Sequence, residues 1–400
     1  MSENIKEKIY ECISRDKSVY TSLSDRIFDF AEVSGQEHQS TQLLTDFLRK
    51  HGFHVQTGCA METDFRAEYM NLSGGPTIGI LVEYDALEGI GHACGHHLQG
   101  PIGLAAAMAV RECLQDLPYK LIIYGTPAEE TLGGKIILLE KGYLKDMDIV
   151  LMTHGGPHTQ VDRKCYALEN FVVTFHGIKS HAAIAPELGR SALDAALLSF
   201  HAMEMLREHV REDTRMHYTV REVGCPVNVV PDKAVAEYTL RSFDTSYLDT
   251  VVDRFFDILQ GAALMTGTTY EIQRDRPFKS KIVVDRLNNL LMKNAEYYHA
   301  PRIAPPREKT GSTDFGNVLY EVPGSCLRIA FTENENAVAH SNDFLVSGKT
   351  PMAHNAIVFA AAILASSICD TIQNPELLRD IQEEFRQKKQ QNESISVKNE

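Results

Sequence analysis

The chain has 400 residues, 44% of them apolar, and a formal net charge of −14. Length and apolar content suit two or three domains with real cores, and the acidic field disfavours nucleic acid or an anionic membrane as a partner. Eight scattered cysteines without paired spacing read as reduced core thiols, not as a disulfide framework.

The opening residues, "MSENIKEKIYECISRD", form a charged amphipathic helix and not an apolar export signal. No stretch is read as the run of roughly 20 apolar residues that spans a bilayer. Together these predict a cytoplasmic protein.

Three short β-rich apolar runs follow: 77–87 ("TIGILVEYDAL"), 120–130 ("KLIIYGTPAEE") and 147–157 ("MDIVLMTHGGP"). Each ends in polar, Gly or Pro residues, and "PIGLAAAMAVREC" between the first two is helical. Continuous apolar runs separated by helices predict buried, largely parallel strands. Residues 1–166 are therefore expected to form the first part of an α/β domain with a mixed, mostly parallel sheet flanked by helices.

From Ala167 the rhythm changes to strand, helix, two strands, helix and strand. This βαββαβ order predicts an inserted ferredoxin-like unit over 167–277. The strand "GSCLRIAF" and the helix "AHNAIVFAAAILASSICDTI", apolar on nearly all sides and so buried, return the chain to the first domain over 278–385. Residues 386–400 are expected to be a frayed polar tail.

Each early strand delivers polar residues at its C-terminal end: Glu83 and Asp85, then Glu129 and Glu130, then His154. In open α/β sheets ligands bind in the crevice beyond those ends, so one crevice would collect them. The first strand continues into "GHACGHHLQG" (91–100), where Cys94 and His96 sit among glycines. Positions i and i+2 diverge by about 200° on a helix but converge in a glycine turn. A thiolate and an imidazole, with a carboxylate and a second histidine, form the mixed N/O/S set that zinc-like ions accept. Each element also has a plainer reading. Free cysteines are often simply buried, paired glutamates are usually solvated loop charges, and histidines are often satisfied core groups.

In chain order, "EYDALEGIGHACGHHL", "GTPAEETLGGK", "THGGP", "HAAIAPELGRSALDA", "NVVPDKAVAEYTLR", "GSTDFGNV" and "AHSNDF" resemble the aminoacylase/carboxypeptidase family of dinuclear metallohydrolases. The nearer resemblance is to its amidohydrolase branch, which includes hippurate hydrolases, aminobenzoyl-glutamate hydrolase and a β-alanyl-lysine-type dipeptidase. It runs from about residue 20 to 370. It implies two divalent ions, zinc or manganese, held by Cys94, His96, Glu130, His154 and His340, with Asp85 orienting a ligand. It further implies Glu129 as general base and His181 as an oxyanion-stabilising group reaching a neighbouring protomer, with the inserted unit as lid and dimerisation domain. Asn228 and Arg241 match positions that hold the substrate's carbonyl or carboxylate. In this sequence Glu88 replaces the family's proline, and His97 replaces its Asn or Asp.

The expected function is metal-dependent hydrolysis of an N-acyl or N-aminoacyl amide bond in a small carboxylate-bearing substrate, by a homodimer. A non-catalytic small-molecule-binding or scaffold protein on the same fold is the alternative. It predicts loss of ligands or of Glu129, and the sequence keeps them. A thiol or serine hydrolase built on Cys94 or Ser312 is separated by its response to chelators.

Overall fold

A computed structural model describes residues 3–396, with side chains over 4–393. The chain divides into two compact units. One takes the chain through Lys164 together with Lys281–Lys389, and the other takes Cys165–Ser280 with the chain from Gln390 onward.

In the first unit, helices α1 (Glu3–Arg15), α2 (Lys17–Phe30) and α3 (His38–Lys50) precede β1 (His54–Thr57), β2 (Phe65–Asn71) and β3 (Thr77–Val82). Then come α4 (Gln99–Cys113), β4 (Tyr119–Gly125), α5 (Gly134–Glu140), β5 (Ile149–Gly156) and β6 (Gln160–Val161). The seven-stranded sheet has the order β1-β2-β4-β3-β5, completed by a strand from Gly324–Ala330 and then β6. Its four central strands are parallel, and the pairings toward both edges are antiparallel. The sequence reading located the central strands through their unbroken apolar runs. It passed over β1, which has no buried position, and β2, where buried and exposed positions mix.

The second unit holds β7 (Ala167–His176), α6 (Ala192–Leu206), β8 (Arg215–Glu222), β9 (Lys233–Ser242), α7 (Thr245–Thr266) and β10 (Thr269–Arg274). Its sheet is wholly antiparallel, in the order β10-β7-β9-β8. Alternation along β9 buries Ala234, Ala236, Tyr238 and Leu240 against Phe171, Phe175 and Phe255, a core separate from that of the first unit. Side-chain caps start both helices: Ser191 accepts from the Asp194 N–H and Asp244 from that of Tyr247.

The first unit continues with α8 (Asp285–Tyr297), α9 (Phe315–Glu321), β11 (Gly324–Ala330), α10 (Asn342–Ser347), α11 (Pro351–Gln373) and α12 (Pro375–Ser396). Helix α11 has the length and mean hydropathy, 1.7, to cross a membrane, but 78% of its apolar window is buried within the protein. It packs beside α4, whose small residues Ala105, Ala106, Ala107 and Ala109 allow close approach. Residues 386–396, expected as a frayed tail, instead continue α12. Ion pairs such as Lys388 with Asp285 and Glu384, and Lys389 with Glu321, anchor its middle.

Candidate metal centre

The site is built beyond the C-terminal ends of β3, β4 and β5. After β3 the chain runs through Glu83 and Asp85 to a turn at Gly95, whose φ of 85° suits glycine and brings His96 back over the strand ends. Asp85 fixes this histidine: its Oδ1 lies 3.1 Å from His96 Nδ1, and its Oδ2 accepts from the Glu130 backbone N–H at 3.0 Å and from Ser34 Oγ at 2.8 Å. With Nδ1 engaged in this way, Nε2 is the atom left to face the centre.

After β4 the loop turns at Ala128, a non-glycine residue with φ of 61°. The fully buried Glu37 clamps it, accepting the Ala128 N–H at 2.9 Å and the Thr63 hydroxyl at 2.7 Å. Gly134 lets the following helix approach, since a Cβ there would lie 1.9 Å from the Pro127 carbonyl oxygen. Glu129 and Glu130 are thus held between two fixed points.

His154, near the end of β5, has Nδ1 at 2.8 Å from the Gly155 carbonyl and 3.2 Å from Nη1 of Arg328 on β11. His340, also with a left-handed φ (66°), is tied by its backbone N–H to the Ala93 carbonyl at 2.9 Å.

These loops bring six expected residues together. Potential ligand atoms of Cys94, His96 and His154 all lie within 4.8 Å of one another, as do those of Cys94, Glu130 and His340, and those of His96, Glu129 and Glu130. Cys94 Sγ is 3.6 Å from His154 Nε2, and His340 Nε2 is 3.4 Å from Glu130 Oε1. The groups overlap, so the donors ring one small volume.

Burial is the largest influence on how these groups hold protons. Burial pushes the Cys94 thiol up to about 12, against the pull of His96. Burial, helped by Arg328 and His96, holds His154 down to about 3, so its imidazole is neutral and has a lone pair to give. Burial also acts to lower His96, but Cys94, Glu83 and Asp85 outweigh it and raise it well above the ordinary value. Burial and the neighbouring Glu83 and Asp314 raise Glu129 strongly.

The donor set fits a divalent ion by a test internal to the protein. His96 Nε2 and Glu130 Oε1 are both buried and make no hydrogen bond of good geometry, although Glu83 Oε2 lies 3.2 Å from the first and His340 Nε2 3.4 Å from the second. Such orphans are rare and call for a cation or an equivalent partner. Thiol, imidazole and carboxylate are the ligand types that zinc-like ions take.

The remaining expected residues belong to the other unit. His181 and Asn228 are exposed, and their loops are joined by a bridge from His181 to Val229 and by the Ala182 N–H donating to the Asn228 carbonyl at 2.9 Å. Arg241, on β9 opposite Leu168 and Arg215, has a buried Nε without a hydrogen-bond partner. His97 is buried, bonded to the Gly348 carbonyl at 3.0 Å and edge-on to Phe28; burial lowers it to about 4, and the geometry makes it a packing residue.

Sequence reasoning missed several residues that support the site. Lys135, Gln99, Glu37, Arg328 and Asp162 did not stand out, and Glu83 was recognised only by its position at a strand end. The available signal was a charge placed inside an apolar run, as in "GGKIILLE" and "GSCLRIAF".

The model for peptidase family M20/M25/M40 matches residues 79–366. Human Xaa-Arg dipeptidase is 32% identical, with 99% of this chain and 95% of that protein covered. A p-aminobenzoyl-glutamate hydrolase chain from Escherichia coli is 27% identical over 95% of this chain and 94% of its own length. Among solved structures, a dinuclear metal-binding peptidase of Bacillus subtilis superposes with a TM-score of 0.70 at 19% identity, covering 90% of this chain and 99% of that one. The match over most of the chain, joined to a ring of sulfur, nitrogen and oxygen donors at the strand ends, makes this chain a metallohydrolase belonging to peptidase family M20/M25/M40.

Proposed function

We propose that the protein hydrolyses an N-acyl or N-aminoacyl amide bond next to a free carboxylate in a small substrate, using two divalent ions, zinc or manganese. The observation that carries this reading is the convergence of Cys94, His96, Glu130, His154 and His340 in overlapping ligand groups, with Glu129 beside them. The relatives support the substrate class. An Xaa-Arg dipeptide and p-aminobenzoyl-glutamate both place an amide next to an amino-acid carboxylate.

Cys94, His96, Glu130, His154 and His340 would hold the ions, and Asp85 would fix the ring orientation of His96. Bound divalent ions polarise a carbonyl and lower the pKa of water from 15.7 to about 7. Glu129 takes the attacking water's proton on its carboxylate and delivers it to the departing amine nitrogen. We assign His181 to the oxyanion, in the active site of a second copy of the chain, and Asn228 and Arg241 to the substrate's carbonyl and carboxylate. The guanidinium fork of Arg241 matches two carboxylate oxygens.

The assignment of His181 requires a homodimer, and we place it in the cytoplasm. All eight cysteines are free, which suits a reducing compartment.

The test is a panel of N-acyl amino acids, aminobenzoyl-glutamate and β-alanyl or Xaa-Arg dipeptides, assayed before chelation, after it, and after adding back zinc or manganese. Loss on chelation and recovery on add-back is expected. Hydrolysis that survives full metal removal would refute the reading.

A further inference from the structure

Behind the donor ring lies a second group of charges that holding ions does not explain. Lys135, in the first turn of α5, has no exposed surface. Its ammonium donates to Glu83 Oε1 and, at 2.7 Å, to Asp314 Oδ1, while its backbone N–H donates to Asp314 Oδ2 at 3.0 Å. Glu83 and Asp314 are equally enclosed, at 1% and 0% exposure. Gln99 completes the frame: its Nε2 donates to Glu83 Oε2 at 2.6 Å, and its Oε1 accepts the Glu83 backbone N–H at 3.0 Å. The ammonium, carried on α5, is therefore anchored by the residue that follows β3 and the one that precedes α9.

Glu129 belongs to both groups. One of its carboxylate oxygens lies within 4.8 Å of ligand atoms of Glu83 and Asp314, and it has the same proximity to His96 and Glu130. Three carboxylates this close repel one another and need a cation to stay together in a dry interior. The chain supplies that cation itself. Its ammonium bonds both Glu83 and Asp314, the two carboxylates that Glu129 faces. Without it, Glu129 would face two fixed negative charges with nothing between them, and the cheapest response would be to rotate away.

We propose that Lys135 is a positioning residue: anchored by Glu83 and Asp314, its buried ammonium keeps the Glu129 carboxylate seated between that pair and the donor ring. The inference rests on the reading of Glu129 as general base. It adds that the base is placed by an internal cation, independently of bound metal.

The experiment is a double-mutant cycle on the zinc-loaded full-length protein. Lys135→Met is expected to lower kcat about 100-fold, the scale of a carboxylate displaced by about an ångström. KM should stay within about threefold, and so should the zinc content and the zinc affinity of the apo-protein, since in this mechanism the ligands are untouched. In a Glu129→Gln background the same change should cost less than about threefold more, because there is no base left to place.

Three results overturn the proposal: a kcat for Lys135→Met within about threefold of wild type, an equal loss in both backgrounds, or loss of zinc binding. If Glu129→Gln alone keeps activity within about tenfold of wild type, the general-base reading fails instead. Should Lys135→Met not accumulate as folded protein, Lys135→Met/Asp314→Leu removes one charge of each sign, an exchange that buried pairs often tolerate. It must then show the same kcat loss and the same silence against Glu129→Gln. If neither folds, the lysine is structural and the proposal is wrong.

Discussion

Asp85 lies 3.1 Å from Nδ1 of His96 through one carboxylate oxygen, and with the other it accepts the backbone N–H of Glu130 at 3.0 Å. One buried side chain thus sets the direction of two donors from different loops. Asp85→Asn keeps the shape but loses the charge that orients the imidazole. Zinc affinity of the apo-protein, by calorimetric titration, is expected to fall about 10- to 100-fold. Unchanged affinity would show that the ring is held by packing alone.

His181 is exposed in its own chain, as a group serving a neighbour would be. His181→Ala should lower kcat by about 10² to 10³ with little change in KM. Co-expressed in equal amounts, His181→Ala and Glu129→Gln chains should recover about a quarter of wild-type activity, because half of random dimers are hybrids with one intact site each. No recovery would mean that His181 acts, if at all, within its own chain.

For Arg241 the expected signature is in binding. Lys keeps the charge but loses the fork. Arg241→Lys should raise KM about tenfold for a carboxylate-bearing substrate, an effect worth about 1.4 kcal/mol. KM for the same substrate with its carboxylate amidated should hardly move; an equal rise for both would remove Arg241 from carboxylate recognition.

Asp162 accepts from Nε of Arg328 and from Nε of Arg307, both at 2.9 Å, at 6% exposure. Burial alone would raise its proton affinity, yet Arg328, Lys281 and Arg307 hold the carboxyl at about 2. Because the folded value lies below the unfolded one, the stabilisation is complete above pH ~4 and is lost as pH falls through about 2. Asp162→Asn should cost about 3 kcal/mol at neutral pH by leaving buried guanidinium charge uncompensated. Urea unfolding at pH 7, 4 and 2.5 should show the gap to wild type closing; a constant gap would contradict the assignment.

Gly134→Ala tests how tightly the glutamate loop is held. The added Cβ would meet the Pro127 carbonyl oxygen at 1.9 Å, and that oxygen belongs to backbone that cannot swing aside. The loop carrying Glu129 and Glu130 must shift, so turnover should fall about 100-fold or more. Stability should drop by about 1–3 kcal/mol, the usual cost of overpacking. Full activity with only a stability loss would mean that the loop tolerates displacement.

Much of this was legible from residues alone. The central strands betrayed themselves as unbroken apolar runs, and Cys94, His96, Glu130 and His154 stood where such strands end, a position fixed by sheet topology. His340 was different: nothing in its local pattern marks it, and it was placed only through the resemblance carried by "AHSNDF". Lys135 and Arg328 were invisible for another reason. Charged residues are presumed exposed, and what reverses that presumption is a partner from a distant segment, such as Asp314 for Lys135 or Asp162 for Arg328. The edge strand β1 and its neighbour β2 were lost because they lack a clean alternation. The continuation of α12 was lost because polar composition resembles solvated tail until ion pairs to the body are seen.

Ala128 and His340 both bend through the left-handed region, at φ of 61° and 66°, where a side chain costs about 1–2 kcal/mol and glycine almost nothing. A more comfortable polypeptide would have used glycine at both points and accepted hinges beside its most reactive atoms. Here the crowding at each Cβ shrinks the range of shapes the neighbouring carboxylates and imidazole can sample. The chain thus accepts a little thermodynamic cost at two corners that carry or adjoin the donors.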